Sequence, residues 1–105
     1  MIERKMYIYK ITCLKTGKTY IGRTVKKPHK RLLEHFSDSK YKLNNSPLHL
    51  DMKKYDKEYF TVETLCEFYA ETFSNADEVE LEFIEKNNSF FPSGYNVRRV
   101  RNGRS

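Results

Sequence analysis

The 105-residue sequence has only two cysteines, Cys13 and Cys66. They stand apart in apolar, strand-like surroundings, without the paired spacing of a metal knot or a redox motif. Both read as reduced core residues of an intracellular, cytoplasmic protein. No apolar run reaches membrane-spanning length, and the charged first residues have no apolar stretch behind them. Neither a membrane helix nor a secretory leader is therefore expected. Internal repeats, low-complexity segments and splitting linkers are missing too. What is left is one domain with a single modest core.

Charge is missing in blocks as well. Residues 58–85 hold nine acids and no Lys or Arg, and residues 86–105 hold five basic residues and no acid. Residues 1–57 carry 15 Lys or Arg against five acids, so the net charge of +6 conceals a basic front, an acidic segment and a basic tail. That layout suits a polyanion docking on one side of the fold. A solvated surface with chance charge blocks would produce it equally.

The residues that are present begin with a hairpin. Met6 to Cys13 is apolar, aromatic and β-branched, Leu14-Lys15-Thr16-Gly17 is turn chemistry, and Lys18 to Gly22 returns. The strands carry two phenols, Tyr9 and Tyr20, either side of one short turn. Pro28 suits a first helical position, and His29 to about Asp38 has helical spacing with Leu32, Leu33 and Phe36 as its apolar stripe. Ser37 to Asn45 reads as a polar loop. Ser46-Pro47 opens a second helix whose stripe is Leu48, Met52 and Tyr55. Tyr59 to Phe68 reads as a third strand, and Ser74 with Asp77 resembles a capping box opening a helix to about Asn87. Gly94 suits a turn, and Tyr95 and Val97 suit a short edge strand or packed terminal segment. The domain is expected to span residues 1–97, with residues 98–105 a mobile basic tail.

Three features could carry chemistry. Arg31 and His35, four residues apart, project from one helical face. On the third helix Glu78, Glu82 and Glu85 form a solvated acidic face, but Glu80 is flanked one turn away by Ala76, Phe83 and Ile84. A carboxylate turned towards apolar surroundings needs a cation. That cation is either an Arg or Lys from elsewhere in the fold or a divalent metal held by oxygen ligands. Phosphodiester hydrolysis would use such a set: Lewis acidity at Glu80, the planar Arg31 fork on phosphoryl oxygens, and His35 or a tyrosine for the proton. A phenol with a pKa of about 10 is a poor base unless a metal, Arg31 or a lysine such as Lys18 lowers it.

Taken in order, Tyr7-Ile8-Tyr9, Tyr20-Ile21-Gly22, Arg31 to His35, Glu80 with Ile84, and Gly94-Tyr95-Asn96 resemble the GIY-YIG nuclease family across residues 7–96. The resemblance implies an α/β (α+β) fold, a three-stranded antiparallel sheet flanked by helices, and metal-dependent cleavage of DNA with Mg²⁺ or Mn²⁺. It also implies roles. Tyr9 and Tyr20 take the two motif tyrosines, the first proposed to activate water. Arg31 takes the phosphate-binding arginine, His35 the histidine one turn on, and Glu80 the metal ligand. Lys18, Gly22 and Asn96 support the site. Tyr7 departs from the motif glycine, Glu82 is a rival to Glu80, and Lys30 is a rival to Arg31. His29 and His49 match no catalytic position and are expected on the surface or facing DNA.

Nucleic acid is expected to meet Arg23, Lys26, Lys27, Lys30, Arg98, Arg99 and Arg101. With no appended DNA-binding domain in the sequence, low sequence selectivity or a preference for nicks, flaps and junctions is expected. A homodimer could supply specificity and double-strand cleavage. The alternatives are a non-catalytic nucleic-acid-binding module, whose aromatic residues would stack on bases, and a nuclease directed at RNA.

Overall fold

β-Branched and aromatic residues concentrate in three segments, and these are the strands: β1 (Arg4–Cys13), β2 (Thr19–Thr24) and β3 (Phe60–Ala70). The computed structural model describes residues 4–41, 45–71 and 73–97, with the side chains of residues 73 and 74 excepted. The strands form one antiparallel sheet in the order β2-β1-β3. Helices α1 (Pro28–Ser39), α2 (Pro47–Lys54) and α3 (Phe73–Lys86) pack against it. No helix among the described residues is long and apolar enough to cross a membrane.

The central strand is buried on both faces, which a sheet covered by helices on each side requires. Tyr9, Ile11 and Cys13 pack with Phe36 of α1 and with Leu48 and Met52 of α2. Ile8 points the other way and packs with Ile21 of β2 and Ile84 of α3. The hairpin turn closes through Gly17 N–H to the Cys13 carbonyl at 2.8 Å, with Gly17 at φ +77°, where glycine carries no steric penalty. Both cysteines are free thiols; Cys13 is fully buried.

Several expected details differ. β3 slips register against β1: Ile8 faces Cys66 but Tyr9 faces Thr64, which leaves Leu65 as the extra residue of a bulge. That bulge is why alternation along β3 is imperfect. On α1 the buried residues are Pro28, His35, Phe36 and Ser39, with Leu32 packed beside them, whereas Leu33 is exposed. At about 100° per residue Leu33 lies roughly a third of a turn from the centre of that face. The place expected for Leu33 belongs to His35. The helix also runs through Ser39, so Ser37 and Asp38 belong to it rather than to a loop.

The Ser46 hydroxyl caps α2 by accepting from the His49 amide at 3.3 Å. The expected capping box on α3 involves Ser74, whose side chain lies outside the described ones. Asp77 is engaged elsewhere, with Arg23. After α3 the chain returns along the open edge of β2, where Tyr95 N–H donates to the Thr19 carbonyl at 2.8 Å. Tyr95 is buried there, but Val97 beyond it is exposed.

Candidate active site

The two motif tyrosines share one face of the hairpin without being directly opposite. Tyr9 pairs with Gly22 and Tyr20 with Ile11, so the phenols are diagonal neighbours with ring centroids 6.2 Å apart. Gly22 is a steric requirement. A Cβ there would sit 2.5 Å from Tyr9 Cζ and 2.9 Å from Tyr20 Cε2. Tyr9 is 1 % exposed. Burial holds its hydroxyl above the usual phenol pKa, with Tyr20 adding to the effect and the nearby Arg31 charge opposing it. A phenolate at Tyr9 is therefore not the resting state at neutral pH.

Helix α1 supplies the next two groups. His35 Nε2 lies 2.9 Å from the Tyr9 hydroxyl, and the Tyr20 ring meets the imidazole edge-on at 5.3 Å. Burial, with Arg31 and His49 alongside, brings the His35 pKa down to about 3, so the ring is neutral at physiological pH. Arg31 is half-buried one turn earlier and held by Glu34 at 3.1 Å and Asp38 at 3.9 Å, both on its own helix. With these two acids beside it, Arg31 lines the cleft. Lys30 is exposed on the other side of Arg31.

Helix α3 brings Glu80 to the same cleft. Its helical neighbours Ala76 and Ile84 are buried, while Glu78, Glu82 and Glu85 are exposed, as helical spacing dictates. The cation that meets Glu80 is Arg23 of β2. Its Nη1 lies 3.2 Å from Glu80 Oε1 and 2.5 Å from Asp77 Oδ1, so two carboxylates one helical turn apart converge on a single positive group. Tyr20, Arg31, His35, Asp77 and Glu80 line one cleft of about 900 Å³.

His49 lines it as well. Expected on the surface or facing DNA, it is half-buried rather than on the open surface, its Nε2 3.1 Å from His35 Nδ1. Only the packing of α2 alongside α1 brings it there, a relationship with no signal in local spacing. Asp77 was masked by its apparent capping role. Asn96 supports the wall: its side-chain carbonyl accepts from Ile21 N–H at 2.8 Å and from Ser89 Oγ at 2.7 Å, and its amide donates to the Ile21 carbonyl at 2.8 Å. It completes the edge of β2 as another strand would.

The expected nucleic-acid contacts are dispersed. Arg23 is engaged with Asp77 and Glu80, and Lys26 pairs with Glu34. Lys27 and Lys30 are exposed at the start of α1, and His29 between them is exposed too. Lys18 is half-buried beside the turn and does not line the cleft. Arg98, Arg99 and Arg101 lie outside the described residues, as does the rest of the basic tail.

The family of GIY-YIG catalytic domains matches residues 5–96. Among solved structures, the catalytic domain of the intron endonuclease I-TevI, in a form with a glutamate changed to alanine, aligns with TM-score 0.74 and 27% identity. The alignment covers 91% of this chain and 96% of that one. A second structure, the catalytic domain of the homing endonuclease I-TevI, aligns with TM-score 0.72 and 26% identity over 90% of this chain and 99% of that one. No curated protein sequence matches.

Proposed function

Because the chain belongs to the GIY-YIG family and is an endonuclease of that type, we propose that it hydrolyses DNA phosphodiester bonds with the help of a divalent cation. One arrangement carries this reading: Tyr20, Arg31, His35 and Glu80, drawn from a strand and two helices, face the same cleft. Arg31 is permanently charged, and its planar fork fits two non-bridging oxygens of a phosphate. It would hold the scissile group and oppose the charge that develops there. The Tyr9–His35 pair beneath the cleft moves the proton. A phenol held above its usual pKa acts through its partner, and the neutral His35 Nε2 can accept from the hydroxyl. Tyr20 packs against both rings and keeps them in place.

Among the described residues no three His, Cys, Asp or Glu side chains cluster for a metal. Yet Asp77 and Glu80 are hard oxygen donors already gathered around one cationic group. They fit Mg²⁺ or Mn²⁺, ions commonly held by one or two carboxylates together with waters and substrate phosphates. When bound, such an ion supplies Lewis acidity at a phosphoryl oxygen.

The basic residues at the start of α1 offer backbone contacts that read no bases, so low sequence selectivity or a preference for DNA structure follows. One site cuts one strand; a double-strand break takes two protomers or two events. Two free thiols, Cys13 buried and Cys66 half-buried, suit an intracellular setting.

Supercoiled plasmid incubated with the protein and Mg²⁺ or Mn²⁺ tests the reading, beside an EDTA control and Glu80→Gln. Nicking that disappears in both controls while DNA binding persists is the expected outcome. Cleavage of RNA with none of DNA overturns the substrate, and nicking that survives EDTA overturns the metal.

A further inference from the structure

His35 sits in the middle of a three-membered chain of side chains. On one side its Nε2 is 2.9 Å from the Tyr9 hydroxyl, and on the other its Nδ1 is 3.1 Å from His49 Nε2. A neutral imidazole has one donor and one acceptor nitrogen, so the two hydrogen bonds cannot be set independently. If Tyr9 donates to Nε2, then Nδ1 carries the proton and His49 must accept it. Nothing in the family match or in the sequence spacing assigns His49 a part, yet it supplies the partner for the far nitrogen of His35.

We propose that His49 is a positioning residue that fixes His35 with a bare Nε2 towards Tyr9 and accepts the proton passed on through His35. The proposal rests on the reading that Tyr9 and His35 handle the proton. The transfer balances without any co-reactant. The Tyr9 O–H bond breaks as a proton joins His35 Nε2, and the His35 Nδ1–H bond breaks as its proton joins His49 Nε2. The phenol is restored by the proton of the attacking water, and no electrons change hands.

The surroundings of the two rings decide where the positive charge rests. His35 is 4 % exposed and faces Arg31, so an imidazolium there is strongly disfavoured. His49 is less buried. Burial, Arg31 and Lys53 of its own helix α2 disfavour its charged form, whereas Asp38 of α1 favours it. Glu78 and Glu80 of α3 line the same cleft. A transient charge therefore costs less on His49 than on His35.

The test combines nitrogen NMR of the histidine rings with plasmid cleavage for wild type, His49→Gln and His49→Ala. In the wild type His35 should show a protonated Nδ1 and a bare Nε2. A glutamine carbonyl can still accept from Nδ1 but cannot take up a proton. His49→Gln should therefore keep that tautomer and the affinity for DNA, while kcat falls about 100-fold, the low end of what a positioned proton acceptor contributes. The wild type should also lose activity in acid, on the low side of the ordinary imidazole range, as His49 becomes charged, and His49→Gln should lack that limb. His49→Ala should lose the single tautomer too. A wild-type His35 protonated on Nε2 overturns the proposal, as does a His49→Gln variant with wild-type kcat and pH profile. If no variant, nor the wild type, cleaves DNA, the nuclease reading fails; a tautomer lost only in His49→Ala would still support the positioning role.

Discussion

Arg23 and Glu80, 57 residues apart in sequence, meet at 3.2 Å, and Asp77 meets the same guanidinium nitrogen. A positive group thus occupies the place where two carboxylates could hold a metal. Cation and guanidinium should compete. Replacing Arg23 with glutamine leaves two like charges facing each other, and the metal-free protein should lose about 1 kcal/mol. Added Mn²⁺ should then raise its melting temperature more than it raises that of the wild type, since binding to the folded state alone is stabilising. Thermal melts in EDTA and in Mn²⁺ would measure both; equal shifts would mean that Arg23 and the ion do not share a place.

Arg31 lines the cleft with two acids of its own helix beside it. Arg31→Ala should lower single-turnover cleavage by roughly 10²–10³-fold, the scale of one lost donor at a developing charge. Affinity for DNA should weaken by only about tenfold, as for one phosphate contact. Equal losses in a gel-shift titration and in cleavage would reduce Arg31 to an ordinary backbone contact.

Gly22 has no room for a methyl group because the Tyr9 phenol lies across it. Gly22→Ala must push that ring from its rotamer or bend β2, and either costs about 1–3 kcal/mol. The midpoint in urea should fall accordingly. Cleavage should fall further than the population of folded protein explains, because the displaced ring is the one bonded to His35.

Acid should weaken the fold earlier than its carboxylates alone would. The His35 pKa lies near 3 in the folded protein against 6.5 for a free imidazole, so the unfolded chain binds the extra proton. Stability from this group is complete above pH 6.5 and drains away as the pH falls towards 3, by roughly 5 kcal/mol over the whole range. His49 is shifted in the same direction. Glu34, held low mainly by Lys26, begins to matter only below 4.5. Urea unfolding at several pH values between 6.5 and 4.5 isolates the histidines, and His35→Gln should flatten the slope.

Much of this architecture could be read before any coordinates. The hairpin, the two short helices and the acidic face of α3 follow from periods of two and 3.6, which are local properties. Glu80 stood out because its neighbours one turn away are apolar. The partner that resolves its charge did not, since Arg23 reaches it only when β2 and α3 pack together. His49 was equally illegible: its spacing from Leu48 and Met52 says which helix it belongs to and nothing about which helix lies alongside. The inner face of α1 is turned from the expected stripe, so that it takes in His35 with its two ring partners and leaves Leu33 exposed.

The edge of β2 has a consequence in time. Ile21 lies between Tyr20 and Gly22, and its backbone N–H and carbonyl are both satisfied by Asn96, 75 positions later in the chain. Synthesis is vectorial, so a growing chain will have made both tyrosines, Arg31, His35 and Glu80 before it can seal that edge. Until residue 96 has cleared the ribosome, the wall carrying Tyr20 and Arg23 lacks its outer partner. The assembled cleft therefore waits on residue 96, and translation itself delays the moment at which the enzyme can cut.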